Sequence, residues 1–320
     1  MNVAFLLKQY FSGVTDVSID VFDSHNLNDV YQQVLKTLTA HFEIEVSVLQ
    51  ALSYCFYEIL DNVHIHSGKP LGTAITHFDA NKEILQVLVA DDGMGIRASL
   101  AENIKYRNVA EGDALRMSLE DSVTDGKGMG FGLYATTRLM KDIGISFILH
   151  SGNHKLFFKN NNTEVIENGH WQGTIVYMEI STSREIDPNE VVDYRTKADE
   201  QYNESFVETE ELESLWTGQG TKVFDFSMYG TDFGTREMGA KIRNQIRPMI
   251  DNGEYVLLDF TGVNVVSNSF ADECIAKLLL DSSLQDLKRQ ICFKGLNEMA
   301  GRSILVALQR RYRSSLCSQS

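Results

Sequence analysis

Residues 126–134 read GKGMGFGLY and lead into an apolar helical pattern. Alternate glycines before a helix start give backbone amides that can face phosphate oxygens at the positive end of the helix, and Lys127 can add a point charge. The run is not a P-loop, because Asp121 stands where the first glycine of GxxxxGK[ST] belongs and Gly128 follows the lysine. It also fails as a Rossmann fingerprint, since no apolar strand precedes it. The run therefore predicts a phosphate-binding segment of another kind.

A polar helix face lies upstream, at the end of a helical pattern over residues 26–66 that breaks near 41–45. Glu58, Asn62 and His66 follow i, i+4 spacing, so they share one face. A carboxylate beside a carboxamide suits a site where Glu58 orients or deprotonates a nucleophile and Asn62 offers an oxygen to Mg²⁺. An ordinary polar helix face shows the same pattern. His64 points away from His66 on a helix, so we expect it at the surface or in helix packing.

An acidic and glycine-rich turn lies between these two groups. The sequence DDGMG at 91–95 directly follows the apolar run 84–90, which predicts a strand. Asp91 at the end of a strand can accept a hydrogen bond from an exocyclic amine. Gly93 and Gly95 let the backbone approach a planar ring. A tight glycine turn after a strand looks the same, so the turn alone leaves both interpretations open.

The order and spacing of these groups over residues 25–182 resemble the GHKL ATP-binding fold of histidine kinases, gyrase B, Hsp90, MutL and anti-sigma serine kinases. Its three boxes correspond to Glu58 and Asn62, then Asp91, Gly93 and Gly95, then Gly128, Gly130 and Gly132. Thr174, which follows Gly173, resembles the threonine that closes the adenine site of that fold.

The resemblance implies a two-layer α+β sandwich that binds ATP and Mg²⁺. It implies that Glu58 is the general base or positions water, that Asn62 is the Mg²⁺ ligand and that Asp91 binds the adenine amine. Gly93 and Gly95 would shape the pocket. Residues 97–125 would form a lid that orders around nucleotide. The phosphate-binding part of the lid would contain Lys127, Gly128, Met129, Gly130, Phe131 and Gly132.

The C-terminal part of the chain alternates strands with helices. Strands are predicted at 222–227, 255–260 and 291–294, and helices at 235–250, 270–280 and 297–311. This part resembles a STAS-like domain through residues 236–246, 255–263 and 267–273.

Two serines in this part are candidate phosphate acceptors. In STAS anti-anti-sigma factors, a GHKL serine kinase phosphorylates a serine at the start of the corresponding helix. The resemblance therefore makes Ser267 and Ser269 candidates, although the usual Asp-Ser order is absent. A serine that simply caps the helix explains the position equally.

Composition gives the broad class and the domain division. The chain has 320 residues, 43% of them hydrophobic, which is enough for two folded α/β domains. We predict a GHKL-type ATP-binding domain at 1–182, an acidic linker at 183–215 and a small STAS-like α/β domain at 216–320. Between residues 183 and 213, 11 acidic residues stand against 3 basic ones, which is typical of a solvated linker.

Net charge and the number and spacing of cysteines exclude several classes of binding partner and indicate the cellular compartment. A net charge of −15 disfavours direct binding to nucleic acid or anionic membranes. The 4 cysteines are far apart and form no CxxC pair, which indicates neither a disulfide framework nor a zinc site. No apolar run is long enough to span a membrane, so we expect a cytoplasmic protein. The apolar residues among the first 25 could form a homodimer contact or pack on the same chain.

Three functions remain open from the sequence. The first is a Mg-ATP-binding switch, a slow ATPase whose lid closure controls the STAS-like domain or an unknown protein partner. The second is an anti-sigma-like serine/threonine kinase with the STAS-like domain as its tethered substrate. The third is a non-catalytic nucleotide-binding interaction module. We rank the switch first because the set of boxes includes the acid Glu58.

Overall fold

The computed structural model of the chain divides into two compact units, Met1–Val191 and Val192–Ser320. It describes residues 2–41, 46–121, 123–127, 130, 132–159, 162–184 and 222–317. All but the first two residues of the predicted acidic linker lie outside these ranges, so the linker stays a prediction.

The N-terminal unit is built on a five-stranded antiparallel sheet with strand order β1-β2-β3-β5-β4. The strands are β1 (Ser18–Phe22), β2 (Gly72–Asp79), β3 (Ile84–Ala90), β4 (Gly144–Lys159) and β5 (Asn162–Ser181). Strand β3 is central, and its Val87 lies opposite Thr76 of β2 and Met178 of β5. Apart from Gln86, which donates a hydrogen bond to the Tyr177 hydroxyl, its side chains are apolar on both faces, because both faces of the sheet are covered.

Three long helices cover one face of this sheet: α2 (Leu27–His41), α3 (Val46–His66) and α6 (Gly132–Asp142). Leu38, Leu52 and Leu139 come from the three helices and border the same small gap as Leu85 and Val87 of β3. The break predicted near residues 41–45 separates α2 from α3. Strand β3 connects to α6 through the short helices α4 (Ile96–Leu100) and α5 (Glu111–Met117), with a 3-10 turn at Ile104–Tyr106.

A short first helix, α1 (Val3–Tyr10), covers the opposite face of the sheet. Leu6, Tyr10 and Phe11 are buried there in one cluster with Leu88 and Ile175. The predicted two-layer sandwich therefore gains a partial third layer, because the second face of the sheet is apolar too. The start of the chain was predicted either to form a homodimer contact or to pack on its own chain. In the structure α1 packs on the sheet of its own chain. The homodimer stays a prediction, since other apolar side chains among the first 25 residues remain exposed.

The C-terminal unit contains a parallel three-stranded sheet with strand order β10-β8-β6. Its strands are β6 (Lys222–Asp225), β8 (Val256–Asp259) and β10 (Ile291–Lys294), and the two-residue strands β7 (Asp232–Phe233) and β9 (Val265–Val266) pair with each other. The helices are α7 (Arg236–Asp251), α8 (Asn268–Cys274), α9 (Leu284–Gln290) and α10 (Glu298–Cys317). Two further 3-10 turns are Phe226–Met228 and Ala276–Leu280.

The predicted α/β class is confirmed. An antiparallel sheet with helices forms the first unit, and a small unit of alternating strands and helices forms the second. Among the helices in the described ranges, none has the length and apolar character needed to cross a membrane.

Candidate functional site

The C-terminal half of α3 carries the first group of predicted site residues. Glu58 is buried, Asn62 is half-buried and His66, the last residue of the helix, is half-buried as well. His64 is exposed on the same helix, as expected for a residue outside the shared face. Helix α3 packs against α6, so its polar face lies toward the start of the helix that follows the glycine-rich run.

Gly132, the first residue of α6, lies directly against this polar face. A Cβ atom added to Gly132 would lie 3.0 Å from Cβ of Glu58 and 3.2 Å from Nδ2 of Asn62. It would also lie 3.3 Å from Oε2 of Glu58. These separations are tighter than ordinary van der Waals contact, so a glycine lets the start of α6 approach the carboxylate and the carboxamide. The first and third sequence boxes thus meet in space.

Asp91 forms a second centre at the end of β3. Its Oδ1 accepts a hydrogen bond from the Gly93 amide (2.8 Å), and its own amide donates to the Thr174 carbonyl (2.9 Å). The side chain is buried, and burial raises the pKa of Asp91 to about 6, against the lowering effect of the hydrogen bonds from the Gly93 and Thr174 backbones. The predicted residues Asp91, Gly93 and Thr174 are therefore neighbours.

The turn after Asp91 is held by α3 and β4. The Met94 amide donates to the carbonyl of Ser67, the residue after α3 (2.8 Å). Gly95 precedes α4, and the Ile96 amide donates to Oγ of Ser151 (3.0 Å). Ser151 in turn donates to the Gly173 carbonyl (2.8 Å). Ser151 is a buried connector that sequence reasoning missed, because a single serine within a strand gives no local signal.

Trp171 is a second residue that sequence reasoning missed. Its indole Nε1 donates to the backbone carbonyl of Asp91 (3.0 Å). Its ring stacks on Phe5 of α1, with centroids 5.8 Å apart and planes 18° apart. The tryptophan therefore connects the helix on the second face of the sheet to the strand end that carries Asp91.

The glycine-rich run is only partly described. Gly128, Met129 and Phe131 lie outside the described residues, whereas Lys127, Gly130 and Gly132 lie within them. The Lys127 ammonium lies 2.6 Å from Oε2 of Glu102, and both side chains are more than 40% exposed. An ion pair in such an exposed position is weak, so Lys127 can exchange Glu102 for another anion at little cost.

The two candidate serines of the C-terminal unit lie at the start of α8. Ser267 is 0% exposed and is the N-cap of the helix. Its hydroxyl oxygen accepts from the Phe270 amide (3.0 Å), and the hydroxyl donates to the Gly234 carbonyl (2.6 Å). Ser269 is buried too. The geometry favours the capping role for Ser267, because a kinase would reach its hydroxyl only after the helix start had opened.

Comparison with known proteins identifies a family for part of the C-terminal unit. No curated protein matches the chain. Residues 238–300 match the family described as a STAS-like domain of unknown function (DUF4325). The match runs from the first turn of α7 to the first turn of α10 and includes β8, α8 and β10. The C-terminal unit of this chain therefore carries a STAS-like domain of unknown function.

Proposed function

We propose that the N-terminal unit is a GHKL-type ATP-binding domain that hydrolyses Mg·ATP slowly. Its lid would close on the nucleotide and so control the STAS-like domain or a separate protein partner. The observation that carries the proposal is the close approach of Gly132 to Glu58 and Asn62. This approach brings a glycine-rich helix start, which suits phosphate, next to a buried carboxylate and a carboxamide.

The donor set at this point fits a magnesium ion bound together with phosphate. Mg²⁺ keeps several waters and takes one or two protein oxygens beside phosphate oxygens, so the Asn62 carboxamide is a sufficient protein ligand. Glu58 would hold a water for attack and receive its proton, since a carboxylate within reach can act as a general base. When bound, Mg²⁺ neutralises charge on the phosphate oxygens.

The adenine end of the site would be Asp91 with its surrounding turn. The backbone of Asp91 is held by Thr174 and Trp171, and its buried carboxylate is held by the Gly93 amide, so the carboxylate is a preorganised acceptor for an exocyclic amine. Residues 97–125 would serve as the lid. Within them Glu102 pairs with Lys127, and this ion pair would be exchanged for contact with a nucleotide phosphate.

The proposal is tested by following the γ-phosphate of labelled Mg·ATP with the full chain. We expect phosphate to be released to solution, binding without release for Glu58→Ala, and weak binding for Asn62→Ala. His64→Ala is the matched control, because His64 is exposed on the same helix and should leave both properties unchanged. Label retained on the protein would instead indicate the kinase, and label left on bound nucleotide would indicate the non-catalytic module. A wild-type chain without nucleotide affinity would refute ATP binding.

The proposal also predicts that binding of adenosine depends on pH. Only the ionised carboxylate of Asp91 presents two acceptor oxygens to the amine, and its pKa is about 6. Affinity for adenosine should therefore be highest above pH 7 and fall by about tenfold at pH 5, one unit below the pKa. Adenosine is chosen because phosphate ionises in the same range. Calorimetry between pH 5 and pH 8 measures this, and a flat profile in the wild type would contradict the role of Asp91.

A further inference from the structure

Asp125 is a buried carboxylate that lies just before the glycine-rich run and is not among the predicted site residues. Its side chain is only 1% exposed. Oδ2 lies 2.7 Å from Nδ1 of His66 and accepts from Oγ of Ser99 at 2.8 Å. Oδ1 accepts from the backbone amide of Lys127 at 2.9 Å. Donors from α3, from α4 and from the adjoining glycine-rich run thus converge on one carboxylate, and the Thr124 hydroxyl lies 3.5 Å from Oδ1 as well.

Each of these donors belongs to a part of the candidate site. His66 ends α3 on the face that carries Glu58 and Asn62. Ser99 lies in α4, the first helix after the turn that follows Asp91. Lys127 belongs to the glycine-rich run. Asp125 therefore connects the helix of the first box, the helix after the second box and the segment of the third box.

The hydrogen-bond donors around Asp125 keep its carboxylate ionised. Burial would raise the pKa of Asp125, but the hydrogen bond and the charge of His66, together with the Lys127 amide and the Ser99 hydroxyl, lower it to about 2. The side chain is therefore ionised throughout the neutral range. A buried ion with well-formed hydrogen bonds holds its donors firmly, because a lost donor leaves the charge without compensation.

Neighbouring hydrogen bonds hold the same short segment. The Gly126 amide donates to Oγ1 of Thr124 (3.1 Å), and Nδ2 of Asn103 donates to the Thr124 carbonyl (3.0 Å). The first bond stabilises the turn within residues 124–127, and the second ties this segment to Asn103 in the preceding stretch. The backbone at the entry to the glycine-rich run depends on side chains that do not belong to the run.

We propose that Asp125 is a positioning residue that holds the entry of the glycine-rich run against α3 and α4, so that the run is ready for the phosphates of a nucleotide. This inference rests on the proposed ATP-binding function for its ligand. Its structural part, the anchoring of residues 124–127 and of α4 by one carboxylate, concerns the protein without nucleotide.

The test compares Asp125→Asn with wild type in the full chain. Asparagine has nearly the same size, but it has a single acceptor oxygen for the donors that meet the carboxylate, and it has no charge. We expect amide hydrogen exchange without nucleotide to become at least about tenfold faster in peptides covering 123–127 and 96–100, because their anchor is weakened. We expect ATP affinity to fall at least about tenfold and adenosine affinity to change less than about twofold, since Asp91 is untouched.

The matched control is Asp113→Asn, an exposed aspartate of the same stretch whose carboxylate accepts a hydrogen bond from the partly exposed Arg116. It should change neither exchange nor affinity. Ser99→Ala is the second variant, and it serves as the test if Asp125→Asn does not fold. It removes one donor to Asp125, so the changes in exchange and in ATP affinity should have the same direction but be smaller.

The outcomes separate this inference from the proposed function. Unchanged exchange at 96–100 and 123–127 in both variants would overturn the anchoring role, whatever the nucleotide affinity. Equal losses of ATP and adenosine affinity would also overturn it, because Asp125 would then support the fold as a whole. If the wild type binds no ATP, the proposed function fails, whereas the exchange comparison still decides whether Asp125 anchors the segment.

Discussion

Replacing Gly173 by alanine is expected to abolish adenosine binding and to lower the free energy of unfolding by about 3 kcal/mol. Gly173 has a φ of +96°, which L residues rarely adopt. A Cβ atom there would lie 2.3 Å from the Asp91 carbonyl oxygen, 2.6 Å from Asp91 Oδ1 and 2.6 Å from the Gly93 amide nitrogen. Two of these neighbours are backbone atoms, so the strand end that carries Asp91 must move.

Gly169→Ala is the matched control for this prediction, since Gly169 lies on the same strand, β5. A Cβ atom at Gly169 would meet nothing within 4 Å, and its φ is not positive. Its substitution should therefore be neutral or stabilising by about 0.5 kcal/mol. Urea denaturation and calorimetry with adenosine measure both effects. If Gly173→Ala is as stable as Gly169→Ala, the close contact with Asp91 does not exist in solution.

The second large effect is expected in the C-terminal unit, where Asp272 is the centre of a charged network. The carboxylate is only 1% exposed. Arg311 binds it through two hydrogen bonds, Nε to Oδ1 (2.5 Å) and Nη2 to Oδ2 (2.6 Å), and Nη1 of Arg236 lies 3.3 Å from Oδ2. The hydrogen bond to Asp272 raises the pKa of Arg311 further. Helices α7, α8 and α10 are tied together by this one carboxylate.

Asp272→Ala should destabilise the C-terminal unit by about 3 kcal/mol, because Arg311 loses two charged hydrogen bonds and the buried Arg236 loses the nearer of its two carboxylate neighbours. The control is Asp251→Ala, whose carboxylate also bonds an arginine, Arg247, but is 54% exposed. That change should cost less than about 1 kcal/mol. Amide hydrogen exchange in β8, measured in the full chain, gives the loss of stability of the C-terminal unit for each substitution. Equal effects of the two substitutions would show that the buried network contributes no more than a surface pair.

Apolar runs bounded by turn residues predicted the strands best. The predicted limits of β3 and β10 are those of the structure. By the same criterion, residues 145–150 and 155–158 form two separate β-rich runs. The structure has one strand from Gly144 to Lys159, since β5 continues past this point and pairs with it through register shifts. Tertiary pairing outweighed local preference.

The role of α1 could not be decided from its own residues. Leu6 and Phe11 suit a second copy of the chain as well as a sheet face. Helix α1 packs on the sheet because Leu88 and Ile175 make the second face of the sheet apolar. Such a choice between contacts needs the assembled sheet.

Local spacing indicated Glu58 and Asn62 as neighbours, because i, i+4 spacing on a helix is a strong pattern. It missed Asp125 and Trp171, whose partners His66 and Asp91 lie 59 and 80 residues away along the chain. The one available signal was an aspartate placed directly before the glycine-rich run. The ATP-binding assignment of these residues stays a prediction.

The indole ring of Trp171 is a fluorophore that lies in the candidate site, because it is hydrogen-bonded to the Asp91 carbonyl. The sequence has 2 tryptophans, and the other, Trp216, lies outside the described residues. Trp216→Phe would leave a protein whose indole emission comes from Trp171 alone. Because that indole also stacks on Phe5, its emission spectrum reports on the two sides of the sheet at once. Titration with a nucleoside can then be followed optically, without any label.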